Sequence, residues 1–171
     1  MILYALAAAM ASPFLAPAHA IAQAEPQSAY THAQAEKDLR TTIATFGEAI
    51  IRKDARGFLA LFAEGPVTWR RVNSDARLAR LGEQATKAAF DPANTPRDFI
   101  ERIVSSPHRH EEIFSNISIA HDEDVAAITF DFTYLLNGRA INQGKESWHL
   151  VRTAQGWRIV SVIYSNNDPA G

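Results

Sequence analysis

Any chemistry performed by this 171-residue chain turns first on Glu146, in the run Gly144-Lys145-Glu146-Ser147-Trp148-His149-Leu150. Pairing this run with residues 125–136 sets the Glu146 carboxyl opposite Phe130, on an otherwise apolar sheet face. Burial there raises a carboxyl's pKa and equips it as a general acid or base at neutral pH. Two other placements suit the sequence: an ion pair with Arg70 or Arg71, or an outward-facing side chain if the strand contains no bulge. Trp69 and Tyr134 present a polar tip on an aromatic body, as a small-molecule cavity requires. Phe114 and Trp148 serve a core as readily as a ligand platform. Ser115 and Ser161 share the inner face and offer hydroxyls to a ligand or to nearby backbone.

A second constellation is His108-Arg109-His110-Glu111-Glu112. Alternate residues of a strand share a face, so His108, His110 and Glu112 could converge on a metal. A solvated strand entry after Pro107 explains the spacing equally well, and no metal site is assigned. His149 falls on the outer face. The chain lacks a Gly-x-Ser-x-Gly elbow, a phosphate loop, a dinucleotide fingerprint and zinc spacing, so no cofactor is implied.

These side chains are positioned by the last third of the chain, which reads as four strands in an antiparallel meander: residues 111–120, 125–136, 139–152 and 157–165. Asn137-Gly138 is the dipeptide of a two-residue hairpin with positive φ at both central positions. Residues 121–124 and 153–156 make the flanking turns. The first turn sets Ile119 opposite Ala126, Ile117 opposite Ile128 and Ile113 opposite Phe132. The Asn-Gly hairpin sets Tyr134 opposite Ile141, and unbroken pairing from there would put Lys145 opposite Phe130. A bulge near Gly144 restores agreement, bringing Glu146 opposite Phe130, Trp148 opposite Ile128 and Leu150 opposite Ala126. Trp157, Ile159, Ser161 and Ile163 then join the inner face. The outer face collects Phe114, Asn116, Thr129, Asp131, Ser147, His149, Arg158, Val160, Val162 and Tyr164, a mixture suited to a homodimer interface.

Helices precede the sheet. Leu39, Ile43, Phe46, Ala49 and Ile50 recur at three and four, predicting a helix over 35–52. Asp54 caps a second over 55–63, and Pro66 stops it. Val67-Thr68-Trp69 is a short strand, Ser74 opens a helical stretch to about Phe90, and Thr95-Pro96 starts a helix to Ser105. Helices followed by a meander define an α+β domain.

The formal net charge of −2 gives no electrostatic basis for binding nucleic acid. Residues 1–24 contain no Asp, Glu, Lys or Arg, and their apolar core is followed by small-x-small cleavage sites at Ala18-His19-Ala20 and Ala22-Gln23-Ala24. That pattern predicts a secretory signal peptide, a flexible leader over 25–34, a domain over 35–166 and a tail over 167–171. The protein is therefore expected in the periplasm or outside the cell, with no stable membrane anchor after cleavage. The absence of cysteine is compatible with that compartment.

The order of a long helix, a short one over Asp54-Ala55-Arg56-Gly57-Phe58-Leu59-Ala60-Leu61-Phe62-Ala63-Glu64, a further helix and a meander ending in Gly156-Trp157-Arg158-Ile159-Val160-Ser161-Val162-Ile163-Tyr164-Ser165 resembles the nuclear transport factor 2-like superfamily. The likeness covers about residues 36–166, and the run from Gly144 to Ser165 looks like secreted bacterial members of unassigned function in this SnoaL-like and steroid isomerase-like group. It implies a curved four-stranded meander plus a short strand, forming a cone closed by three to four N-terminal helices around a pocket, with dimerisation through the sheet common. The expected pocket residues are Phe46, Trp69, Arg70, Ser115, Phe130, Tyr134, Trp148 and Ser161, with Glu146 as the catalytic candidate. Matched to the steroid isomerases, Phe46 stands where that branch has its hydrogen-bonding tyrosine and Arg70 where it has its general-base aspartate. Glu146 matches the protonated acid that stabilises the oxyanion. Two of three roles are lost, which argues against that particular reaction.

Three functions follow. One is an exported domain that holds an apolar or amphipathic small molecule unchanged. Another is a lyase, isomerase or hydrolase using Glu146, with Arg70, Arg71 or Tyr134 as electrostatic partner. The third is a protein-interaction domain acting through the outer sheet face. An open cavity containing an unpaired carboxyl favours catalysis; a filled interior favours interaction.

Overall fold

The computed structural model describes residues 30–82, 85–88 and 94–169. The expected signal peptide and most of the leader lie outside the described residues. Helix α1 spans His32–Arg52, beginning three residues before the apolar period implies because the Thr31 hydroxyl caps it by accepting from the Gln34 N–H. Its buried stripe runs Ala35, Leu39, Ile43, Phe46, Ala49, Ile50. Lys53 ends it in the left-handed region at φ 56°.

Asp54 caps α2 as expected, but that helix is only Ala55–Leu59. Beyond it Phe62 leaves the helical path to bridge with Ile159 of the sheet. Strand β1, Thr68–Asn73, is longer than expected. Helix α3, Asp75–Leu81, stops well short of Phe90 at Gly82, whose φ is 81°. Helix α4, Pro96–Ser105, has a complete capping box between Thr95 and Asp98. No helix among the described residues is long and apolar enough to cross a membrane.

The sheet contains β2 (His110–His121), β3 (Val125–Leu136), β4 (Arg139–Thr153) and β5 (Gly156–Asn166), with β1 added at the edge in the order β1-β5-β4-β3-β2. All neighbours are antiparallel except β1 and β5. Asn137 and Gly138 both have positive φ, as the hairpin requires. The Asp122 carboxylate accepts the N–H groups of Asp124 and Val125 and so builds the preceding turn.

The central pairings agree with expectation: Phe130 with Glu146, Ile128 with Trp148, Ala126 with Leu150. The bulge that produces them lies elsewhere. Tyr134 pairs with Asn142 and Leu135 with Ala140, so Ile141, rather than Gly144, is the extra residue. Gly144 has a different role, for a Cβ there would stand 2.3 Å from Ser165 Oγ and 2.5 Å from Ser165 O. It is glycine because β5 passes too close for a side chain.

Two further bulges correct the expected faces. Between Ser115 and Ser118, β2 carries one residue more than β3, and Asn116 takes φ 51° there. Ile119 now pairs with Ile128 and Phe114 with Phe132, in place of Ile119 with Ala126, Ile117 with Ile128 and Ile113 with Phe132. Phe114 and Glu112 turn inward, while Ile113 and Ser115 turn out. Between β4 and β5, His149 pairs with Ser161 but Leu150 with Ile159, leaving Val160 extra. Val162 and Tyr164 therefore point inward, and Ser161 and Ile163 do not. The outer face thus loses Phe114, Val162 and Tyr164 and gains Ile113 and Ile163, with Ser115 and Ser161.

Helix α1 lies across the concave side, and an aromatic cluster forms beneath it. Phe46 packs 4.7 Å from both Phe58 and Trp148, and Phe130 stands edge-on to Trp148 at 5.0 Å. Gly144→Ala is expected to destabilise the protein by about 1–3 kcal/mol through overpacking against the Ser165 backbone, read as a lower urea midpoint with unchanged slope.

Candidate functional site

Beside the aromatic cluster the interior stays open, as a cavity of about 390 Å³. That volume lies within the range of small-molecule sites. Helices α1 and α4 contribute Phe46, Phe99 and Ile103, and the sheet contributes Trp69, Phe132 and Tyr164. Apolar and aromatic surface thus forms most of the wall.

Two carboxyls face this cavity. Glu146 is 4% exposed and Glu112 9% exposed. Neither forms an ion pair with a described residue, so the expected alternative of a pairing with Arg70 or Arg71 is not realised, and neither is the outward placement. Glu146 Oε1 accepts a 2.5 Å hydrogen bond from the Trp148 indole N–H. Burial raises the Glu146 pKa to about 7, with that hydrogen bond acting in the opposite sense. Glu112 is raised well above the ordinary carboxylate value, first by burial and then by the charge of Glu146. Burial and the neighbouring charge thus both favour the protonated form of Glu112, whereas the indole donor favours the ionised form of Glu146. A buried carboxyl pair with one proton to spare can both take up and deliver a proton.

Beside Glu112, on the same face of β2, His110 Nδ1 lies 2.8 Å from the Tyr134 hydroxyl. Burial lowers the His110 pKa, with Lys53 and His108 adding to the effect, and burial raises that of Tyr134. Both groups are neutral at pH 7, so the pair offers the cavity one donor and one acceptor whichever nitrogen carries the proton. His108 instead contacts Asn137 at the hairpin, and no group of three His, Asp or Glu side chains suited to a metal occurs among the described residues.

Four buried polar atoms find no partner among the described residues: Trp69 Nε1, Arg77 Nε, His110 Nε2 and Asn142 Oδ1. Each belongs to a residue lining this one cavity. Orphaned buried groups are rare in folded proteins, and their concentration here leaves the wall of this cavity with unmet hydrogen-bonding capacity among the described residues.

The expected pocket residues divide. Phe46, Trp69, Tyr134 and Glu146 line the cavity. Phe130 and Trp148 form the packed layer beside it, since their rings are consumed by contacts with Phe114 and with one another. Arg70 faces a separate surface groove with Pro66 and Thr95, because β1 alternates and it is Trp69, Arg71 and Asn73 that turn inward. Ser115 and Ser161 are carried away by the bulges at Asn116 and Val160. Arg71, expected only as an electrostatic partner of Glu146, lines the cavity, as do Glu112, His110, Arg77, Arg102 and Asn142, which the sequence does not place there. For Glu112 and His110 the one available signal was Asn116, a residue type that tolerates positive φ in the middle of a strand.

No protein-family profile matches the sequence, and no curated protein matches it. Solved structures do. An NTF2-like protein with a cystatin-like fold from Novosphingobium aromaticivorans superposes with a TM-score of 0.58 at 15% identity, covering 81% of this chain and 86% of that one. A candidate dehydratase of the NTF2-like family from Streptomyces avermitilis gives 0.57 at 14% identity, over 78% of this chain and 96% of that one. A candidate aromatic ring hydroxylase from Novosphingobium aromaticivorans gives 0.56 at 17% identity, over 80% and 92%. The fold is that of the nuclear transport factor 2-like superfamily, an α+β cone with helices on the concave side of a curved sheet.

The carboxyl pair makes stability depend on pH. Between an unfolded pKa near 4.5 and a folded value of about 7 the native state binds more protons than the unfolded one, so stability present at low pH is lost as pH rises through this window. Glu146→Gln, which keeps an acceptor for Trp148, should leave thermal stability little changed at pH 5 and raise it by up to about 3 kcal/mol at pH 8. Melting curves across that range provide the check.

Proposed function

We propose that the protein binds a small molecule in this cavity and catalyses proton transfer on it, in a lyase- or isomerase-type reaction. The supporting observation is the pair of buried carboxyls, Glu112 and Glu146, facing an open cavity without a cationic partner among the described residues. Burying two such groups costs stability that an apolar pair of the same size would not cost, and a site for chemistry accounts for that cost.

In this reading ionised Glu146 removes a proton from a carbon of the substrate. Protonated Glu112 delivers one to the group that receives the electron pair. If that group is a hydroxyl, water leaves and the carbon–carbon bond becomes double; if it is a carbonyl oxygen, an enol forms and can be reprotonated elsewhere. The Tyr134–His110 pair lies beside Glu112, where a hydrogen bond to the developing oxygen charge would help. The candidate dehydratase among the structural neighbours is in keeping with the first of these outcomes. The composition of residues 1–24 supports export, which puts the substrate in the periplasm or outside the cell.

The test begins with mass spectrometry of small molecules retained by protein purified from its native compartment, followed by NMR detection of deuterium incorporation in heavy water. Glu146→Gln should remain folded and lose at least about 100-fold in exchange rate. Glu112→Gln, which cannot release a proton, should slow net conversion more than exchange. Wild-type rates in Glu146→Gln would remove the catalytic role.

A further inference from the structure

On the same reading of the cavity as a small-molecule site, we propose that its substrate class is the compact aromatic or alicyclic monocarboxylate. The acid group is held at the mouth by Arg71 and Arg102, and the reacting carbon is turned toward Glu146.

The cavity has a charge axis. Its two carboxyls are buried, whereas Arg71 on β1 and Arg102 on α4 line it with exposed side chains. Two columns join these levels. Glu146 stands across the sheet from Tyr164, whose hydroxyl feels the positive charge of Arg71. Glu112 stands across from Tyr134, whose hydroxyl feels Arg102. In each column a tyrosine separates the rim cation from the buried carboxyl. Neither arginine forms an ion pair with a described residue; Arg102 makes a 3.4 Å hydrogen bond to Asn94 and lies within electrostatic reach of Asp98 one turn back.

That arrangement discriminates among ligands. A cation meets two positive charges at the entrance. A dianion with a charge at each end must put one against Glu146. A neutral molecule leaves the rim charges without use. A single anionic end left at the mouth, with an apolar body inward, satisfies both levels at once.

Two of the four orphaned atoms agree. Trp69 Nε1 and Arg77 Nε are obligate donors, and both lack a partner among the described residues. Trp69 is 9% exposed and shares the inward face of β1 with Arg71. Donors without acceptors call for a ligand group that only accepts, as an ionised carboxylate does. Phe46, Phe99 and Phe132 give the rest of the molecule a wall suited to a ring.

Calorimetry at pH 7 and low salt tests this with phenylacetate, cinnamate and cyclohexanecarboxylate, each beside its primary amide. At least one acid should bind about tenfold or more tightly than its amide. The preference should fall below about threefold in the Arg71→Ala/Arg102→Ala double variant and weaken with added salt. Lysine at both positions should restore part of it, and Glu146→Gln should retain it. Should the double variant not fold, Arg102→Ala alone, on an exposed helix position, is expected to show half of the effect on a logarithmic scale. Equal binding of acids and amides, a preference that survives loss of the arginines, or binding of neither series overturns the proposal. The proton-transfer reading is judged separately: acid preference without deuterium exchange removes the catalysis and keeps this inference, and exchange on a neutral compound without acid preference does the reverse.

Discussion

The pleat commits every residue of a strand to one face, and in this sheet three single-residue bulges decide which face that is. The extra residues lie at Asn116–Ile117 in β2, Ile141 in β4 and Val160 in β5. Without the first, Glu112 and His110 would point away from the helices. The second turns Glu146 and Trp148 inward; the third does so for Val162 and Tyr164. The cavity's polar equipment is thus a product of where the alternation breaks, and its apolar wall of where the alternation holds.

Placing two carboxyls inside this frame makes Trp148 a pivot between stability and chemistry. Its ring fills the centre of the aromatic cluster, fully buried, while its indole N–H reaches Glu146. The same residue anchors the sheet to α1 through Phe46 and gives one carboxyl, but not the other, a donor that favours its ionised form. Two like groups a strand apart are thereby made unequal, which is the condition for one to act as base and the other as acid.

Much of the architecture was legible in the sequence because its signals are local. Thr95 with Asp98, Asp54, Ser74 and Asn137-Gly138 act within four residues of themselves, and each forms the cap or turn its chemistry calls for. The pairing of Glu146 with Phe130 follows from the requirement that apolar residues share a face, whether the extra residue lies near Gly144 or at Ile141. What could not be read was the position of a bulge in a strand whose two faces are both partly apolar. In β2 either parity buries some hydrophobic residues, Ile113 or Phe114, so hydrophobicity alone does not choose between Ser115 and Glu112. The choice falls on long-range packing: Phe114 meets Phe46 and Phe130, and no short stretch of sequence encodes that contact. Arg70 and Arg71 pose the same problem in a strand too short to show a period.

Helix α3 differs in kind from the elements around it. None of its residues is buried, and it is tied to the body by Asp168, which accepts ion pairs from both Arg77 and Arg80. The sheet draws on burial, which added electrolyte hardly weakens, whereas this helix leans on charges that mobile ions screen. Since Arg77 is also part of the cavity wall, the side of the cone nearest the chain's end is the part whose firmness follows the salinity of the surrounding medium.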